Sequence, residues 1–297
     1  MKTLWEKYAE VLVDYSVKVN KGELTVIRSD SQVCQPLLKA IYKRVLEKGG
    51  HPVVRTAVEG LNEVFIKNAS DEQLEYIDPM TKLEYEEAKN LISIGAPLNL
   101  KNMTRTDSKR LAKRSGVMRT LSEKMLKRSA DGDLNWVIAD FPTNALAQEA
   151  NMSLDEYTEF LIKACYLHLD NPVSKWREID EKQTKIADWL NTKSEIRLTG
   201  EKTDITFNVK GRKWKSCAGE YNFPDGEVYT SPVEDSGEGQ IYFDFPQLYR
   251  GNEAQKVLLT LKNGKIIDAK AEKGEEFLNN MLDMDDGSRF VGEIALG

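Results

Sequence analysis

The sequence predicts an α/β N-terminal domain of doubly wound type, with a mostly parallel sheet, followed by an α+β, β-rich C-terminal domain. Two observations carry this. As far as Leu190, short apolar strands alternate with amphipathic helices, the pattern of a parallel sheet covered on both faces. After Asn191 the chain turns to short, turn-bounded β segments, two of them joined by the Asn-Gly turn Lys262-Asn-Gly-Lys265. The boundary falls near residue 192, giving domains 1–192 and 193–297.

The elements follow in order. Leu4, Tyr8, Val11, Leu12, Tyr15 and Val19 have helical spacing, and Leu24–Ile27 reads as a buried strand. Gln35–Lys48 is a helix capped by Gly49-Gly50, and Pro52–Val58 is a strand. A polar helix is expected over Leu74–Asn90, a strand at Leu91–Ile94, a basic helix over Ser108–Arg128 and a strand at Trp136–Ala139. Helix follows from Ala145, and Ser153-Leu-Asp-Glu156 is a capping box opening the next one. The last helix of the domain is Trp176–Leu190. Strands are then expected at Glu195–Thr199, Asp204–Val209, Gln240–Phe245, Ala254–Leu261 and Lys265–Ala269. A helix at Glu275–Leu282 and a strand over Arg289–Gly297 end the chain.

The 297 residues carry a net charge of −6, which gives no global argument for nucleic acid. Three dispersed cysteines without CxxC spacing read as reduced thiols in a cytoplasmic protein. The polar N-terminus is unlike a signal peptide, and no apolar run is long enough for a membrane span.

The candidate chemistry is acidic. No lysine or arginine occurs between Ser216 and Tyr249, while Glu220, Asp225, Glu227, Glu234, Asp235, Glu238 and Asp244 do. This is either a solvated loop or a set of carboxylates converging on a cation. Glu227 sits at a loop-to-strand junction. Glu293 interrupts an apolar strand, either facing solvent or buried with a cation or proton partner. Asp283-Met-Asp-Asp-Gly287 with Glu293 fails as a calcium loop, because Leu282 and Met284 fall at ligand positions. The ten basic residues of Lys101–Arg128 lack interleaved aromatics and read as a solvated helix face. His51 and His168 lie in the other predicted domain, and Cys217 reads as a buried inert thiol.

Several strings together resemble a known family. They are Trp136-Val-Ile-Ala-Asp-Phe-Pro-Thr-Asn, Gly200-Glu-Lys-Thr-Asp-Ile205, Gly211-Arg-Lys-Trp214, Asn222-Phe-Pro-Asp-Gly-Glu-Val-Tyr-Thr-Ser-Pro232 and Arg289-Phe-Val-Gly-Glu-Ile-Ala-Leu-Gly297. Over essentially the whole chain the sequence resembles the M29 metallo-aminopeptidases, of the aminopeptidase T and S type. The resemblance implies a cytoplasmic homodimer that releases N-terminal residues from peptides through water activated by two divalent ions (zinc, cobalt or manganese). It makes Glu227 and Glu293 metal ligands, with Asp204, Asp225 and Tyr229 as candidates for groups supporting them. It implies neither nucleic acid nor membrane as a partner. The family continues past Ala-Leu-Gly with further acidic and histidine ligands and a tyrosine, whereas this sequence ends at Gly297. The competing expectation is a catalytically incompetent fragment or remnant that dimerises or binds peptides.

Overall fold

The computed structural model describes residues 2–249 and 252–297. The chain forms two compact units, Met1–Glu178 with Ala218–Asp225, and Ile179–Cys217 with Gly226–Gly297. No helix among the described residues is long and apolar enough to cross a membrane.

Helix α1 (Leu4–Glu10) opens on a capping box at Thr3 and passes into a π-helical turn, Val11–Ser16, where the spacing predicts one uninterrupted helix. Val11, Leu12, Val13, Tyr15 and Ser16 are all buried, so this turn packs all round rather than along one stripe. There follow β1 (Leu24–Ser29), α2 (Gln35–Glu47), β2 (His51–Thr56), α3 (Leu61–Asn68), α4 (Asp71–Glu75), α5 (Pro79–Glu87) and β3 (Asn90–Gly95). Next come α6 (Ser108–Ala130), β4 (Asn135–Asp140), α7 (Asn144–Glu149), α8 (Leu154–Ala164) and α9 (Pro172–Leu190), in which the two units divide. The capping box expected at Ser153 is present.

The stretch expected as one helix over 74–90 is broken. Asp78 accepts the Thr81 amide and Pro79 supplies the pre-set first residue, so a new helix starts there. Helix α3 had no counterpart in the sequence reading.

Strands β5 (Glu195–Gly200), β6 (Thr203–Asn208) and β7 (Lys215–Cys217) belong to the second unit. The chain then returns to the first unit as β8 (Asn222–Phe223), and the parallel sheet runs β2-β1-β3-β4-β8. This is the predicted doubly wound α/β sheet. Val26, Ile27, Leu91, Ile92, Ile94, Val137 and Ala139 fill its interior, as strands covered on both faces require. Edge strand β2 is the exception, largely exposed and tolerant of Pro52. At the end of β3, a side chain on Gly95 would meet Asp140 Oδ1 at 2.3 Å, so the glycine makes room for that acid.

The second unit continues with β9 (Glu227–Thr230), β10 (Glu238–Phe243), β11 (Gln247–Tyr249), β12 (Asn252–Ala254), β13 (Val257–Lys262), β14 (Lys265–Lys270), α10 (Glu275–Leu282) and β15 (Ile294–Leu296). Its sheets are antiparallel, ordered β14-β13-β10-β6-β5, β15-β9-β7 and β11-β12, which is the predicted α+β, β-rich part. The Asn-Gly turn forms as expected, with φ of 49° at Asn263 and 74° at Gly264. The strand expected over 254–261 is split, and Lys256 lies in the left-handed region at φ 52°. The terminal strand is only Ile294–Leu296. Upstream, Asp285 Oδ1 accepts from the Gly287 and Ser288 amides in a local turn, and Arg289 is drawn to Asp283 at 2.7 Å. Arg289 and Phe290 pair with β14 instead, Ile266 N donating to Arg289 O at 2.8 Å and Phe290 bridging Lys265, so only Ile294–Leu296 pairs with β9.

The basic helix α6 is not a free cationic face. Arg110 Nε donates to Ile66 O at 2.6 Å and its Nη2 donates to Ala69 O. Arg114 donates to Leu74 O and Tyr76 O, and Arg128 to Tyr85 O and Ala88 O. The three arginines therefore dock on the C-termini of α3, α4 and α5 in turn, where unpaired carbonyls and the helix dipole both favour a cation. Lys113 pairs with Glu75 and Lys124 with Glu86. Arg128→Ala is expected to cost about 1–3 kcal/mol, read as a lower urea midpoint. Arg119→Ala, which breaks only the exposed pair with Glu123, should change stability by under about 0.5 kcal/mol.

Candidate metal site

Strand β9 is the middle strand of β15-β9-β7. Val228 and Thr230 are buried on its inner face, so alternation turns Glu227 and Tyr229 to the other. Val228 and Ile294 belong to a core with Ile205, Phe207, Trp214 and Ile266. Thr230 Oγ1 donates to Lys213 O at 3.0 Å, and Ser216 Oγ bonds Asp180 and Gln183 of α9 at 2.9 and 3.1 Å. On the outer face, register sets Cys217 opposite Glu227, and both Lys215 and Ala295 opposite Tyr229. Glu293 is exposed and lies one residue before β15, near enough for its charge to act on Glu227.

Electrostatics agrees. The Glu227 carboxyl is pushed above its ordinary pKa first by burial and then by the negative charge of Glu293. Among the described residues, no hydrogen bond or ion pair ends on the side chain of Glu227 or Glu293. The Cys217 Sγ and a Glu227 carboxylate oxygen lie within 4.8 Å. Two uncompensated carboxylates with a thiol beside one of them form a donor set for a divalent cation, which would remove the like-charge cost. The residues present therefore fit a metal.

The other sequence candidates lie as follows. Tyr229 shares the face of Glu227. Asp225 precedes Glu227 by two residues and ends the segment that belongs to the first unit. Asp204 lies on β6, in a different sheet, where both carboxylate oxygens accept from Arg197 at 2.8 Å. That bidentate pair holds Asp204 below its ordinary pKa. His51 and His168 belong to the first unit and are exposed. The acidic run does not converge on one point: Glu220 accepts from Tyr15 in the first unit, and Glu238 accepts the Asn263 amide at the hairpin turn. The sequence reading missed Cys217 and Lys215 as companions of Glu227. Only strand register reveals them.

Comparisons with known proteins bear on the family of the whole chain. The model of the family described as thermophilic metalloprotease (M29) matches residues 1–297. Aminopeptidase 2 of Geobacillus stearothermophilus is 30% identical over 98% of this chain and 75% of its own length. Aminopeptidase AmpS of Bacillus subtilis is 29% identical over 97% of this chain and 75% of its own. Wild-type AmpT from Thermus thermophilus superposes with a TM-score of 0.83 over 99% of this chain and 77% of that one, at 20% identity. The chain belongs to the M29 family of metalloproteases, whose members depend on divalent metal.

The raised Glu227 pKa has a signed consequence. The folded, metal-free chain binds the proton more tightly than the unfolded chain, so stability falls as pH rises from the ordinary carboxylate range through the raised value. Glu227→Gln should flatten that fall in thermal unfolding followed across pH. Added cobalt or zinc should raise the wild-type Tm most on the alkaline side of the same window, where both carboxylates are ionised.

Proposed function

We propose that the protein is an aminopeptidase using two divalent ions, zinc, cobalt or manganese, with Glu227 and Glu293 among their ligands. The region 193–297 is then the metal-bearing domain. The observation that carries this reading is the pair of neighbouring, unpaired carboxylates, Glu227 on β9 and Glu293 just before β15, at the two motifs through which the chain resembles M29 aminopeptidases. The names of the relatives, aminopeptidases matched over nearly all of this chain, support the same reading.

When bound, the divalent ions supply Lewis acidity and an activated water. The chain's own residues hold and aim. Val228 and Ile294 anchor β9 and β15 in the core, which fixes the outward direction of Glu227 and Glu293. Tyr229, next on the same face, is placed to support a ligand or the substrate, and Asp225 to support Glu227. The substrate is a peptide with a free N-terminus. A homodimer in the cytoplasm is part of the proposal and rests on the family resemblance; sedimentation velocity tests the dimer.

The deciding assay is release of free leucine from leucine amide by chelator-treated protein with cobalt, zinc or manganese restored. Hydrolysis should require metal, should spare an N-acetylated substrate, and should fall at least about 100-fold in kcat/KM in Glu293→Ala. Hydrolysis that ignores the metal, or that survives both Glu227→Ala and Glu293→Ala, would overturn the reading.

A further inference from the structure

The first unit holds a second polar site, at the carboxyl ends of β1 and β2. Arg28 and Arg55 are direct register partners on these parallel strands, so two guanidiniums stand side by side. Like charges so placed repel. One carboxylate bridges them: Glu84 of α5 accepts from Arg28 Nη2 at 2.9 Å with one oxygen and from Arg55 Nε with the other. Arg28 Nη1 also donates to the Tyr85 hydroxyl at 2.9 Å. The second acid nearby, Asp78, is already engaged by the Thr81 amide and hydroxyl as the cap of α5. The Arg55 terminal nitrogens, Nη1 and Nη2, donate to no group among the described residues, and the side chain is 43% exposed. Arg28, Arg55, Thr56 and Tyr85, together with the engaged carboxylates of Asp78 and Glu84, line an open cavity of about 630 Å³. A free guanidinium edge fits an oxyanion bidentately.

We propose that this cavity binds a small oxyanion-bearing molecule, a carboxylate or a phosphate, on the free edge of Arg55, with Glu84 holding the arginine pair in place as a built-in anion. The site shares no residue with the metal face and does not rest on the peptidase reading. Glu84 competes with the ligand for Arg55. The two variants therefore act in opposite directions: Arg55→Gln removes the acceptor's partner, and Glu84→Gln removes the competitor's charge.

The test follows Arg55 Nε by NMR in the full chain during titration with inorganic phosphate and, separately, succinate, at fixed ionic strength set with chloride. The arm that saturates identifies phosphate or carboxylate as the chemistry. Because the Arg55 signal is lost in its own variant, affinities are compared by the rise in Tm with anion concentration. A saturable shift with either anion is expected, with affinity weaker by about tenfold in Arg55→Gln and tighter in Glu84→Gln. No saturation with either anion, or equal affinity in wild type and Arg55→Gln, overturns the proposal. Should Glu84→Gln unfold, the wild-type and Arg55→Gln comparison decides alone.

Discussion

The candidate metal face depends on one strand register. Pairing of Ile294 with Thr230 and of Cys217 with Glu227 decides which side of β9 meets the core and which carries the carboxylates. A slip of one residue would turn Val228 outward and Glu227 into the cluster of Phe207, Trp214 and Ile294. Burial of that apolar set is what forbids the slip, since each large side chain turned to water forfeits about 1.5–3 kcal/mol. The hydrophobic core thus works as the aiming device for two acids that, left to themselves, repel.

The α/β alternation was legible because its signals are local: apolar runs of strand length, helical spacing, the capping box at Ser153 and the Asn-Gly turn at Asn263. What was not legible was mostly pairing. Asn222-Phe223 is too short to announce itself as a strand, and only its partner β4 makes it one. Cys217 and Lys215 looked unrelated to Glu227 because register, not proximity in sequence, brings them to its face. Glu227 and Glu293 carry no cue of their own that separates a ligand from a surface acid. The resemblance singled them out, and the structure adds that the charge of Glu293 acts on Glu227.

Charge runs were the least reliable part of the reading, for a physical reason. The basic stretch from Lys101 to Arg128 looked like a solvated face, but a guanidinium on a long stem reaches helix ends that composition does not show. Arg110, Arg114 and Arg128 serve three short helices whose last carbonyls would otherwise need water. Helix α4 has only five residues, far below the length at which a helix holds by itself, so Arg114 is part of what makes it one. The acidic run behaves alike: Glu220 goes to the Tyr15 hydroxyl, Glu238 to a hairpin turn and Glu227 to a sheet face.

Fold alone does not select the chemistry. A dioxygenase from Pseudomonas putida KT2440 matches 99% of this chain with a TM-score of 0.55 at 13% identity. A related arrangement of sheets therefore serves differently named proteins, and function has to be argued from the side chains the scaffold presents. Here the scaffold presents two neighbouring carboxylates that no hydrogen bond or ion pair among the described residues engages. The contrast with Asp204 is instructive. It is also an acid on a strand of the second unit, but Arg197 meets both its oxygens, so it offers a cation nothing further. An ion-paired carboxylate is already stabilised, whereas an unpaired pair is stabilised by a metal. That difference in charge balance, not acidity as such, is what distinguishes Glu227 and Glu293 from Asp204.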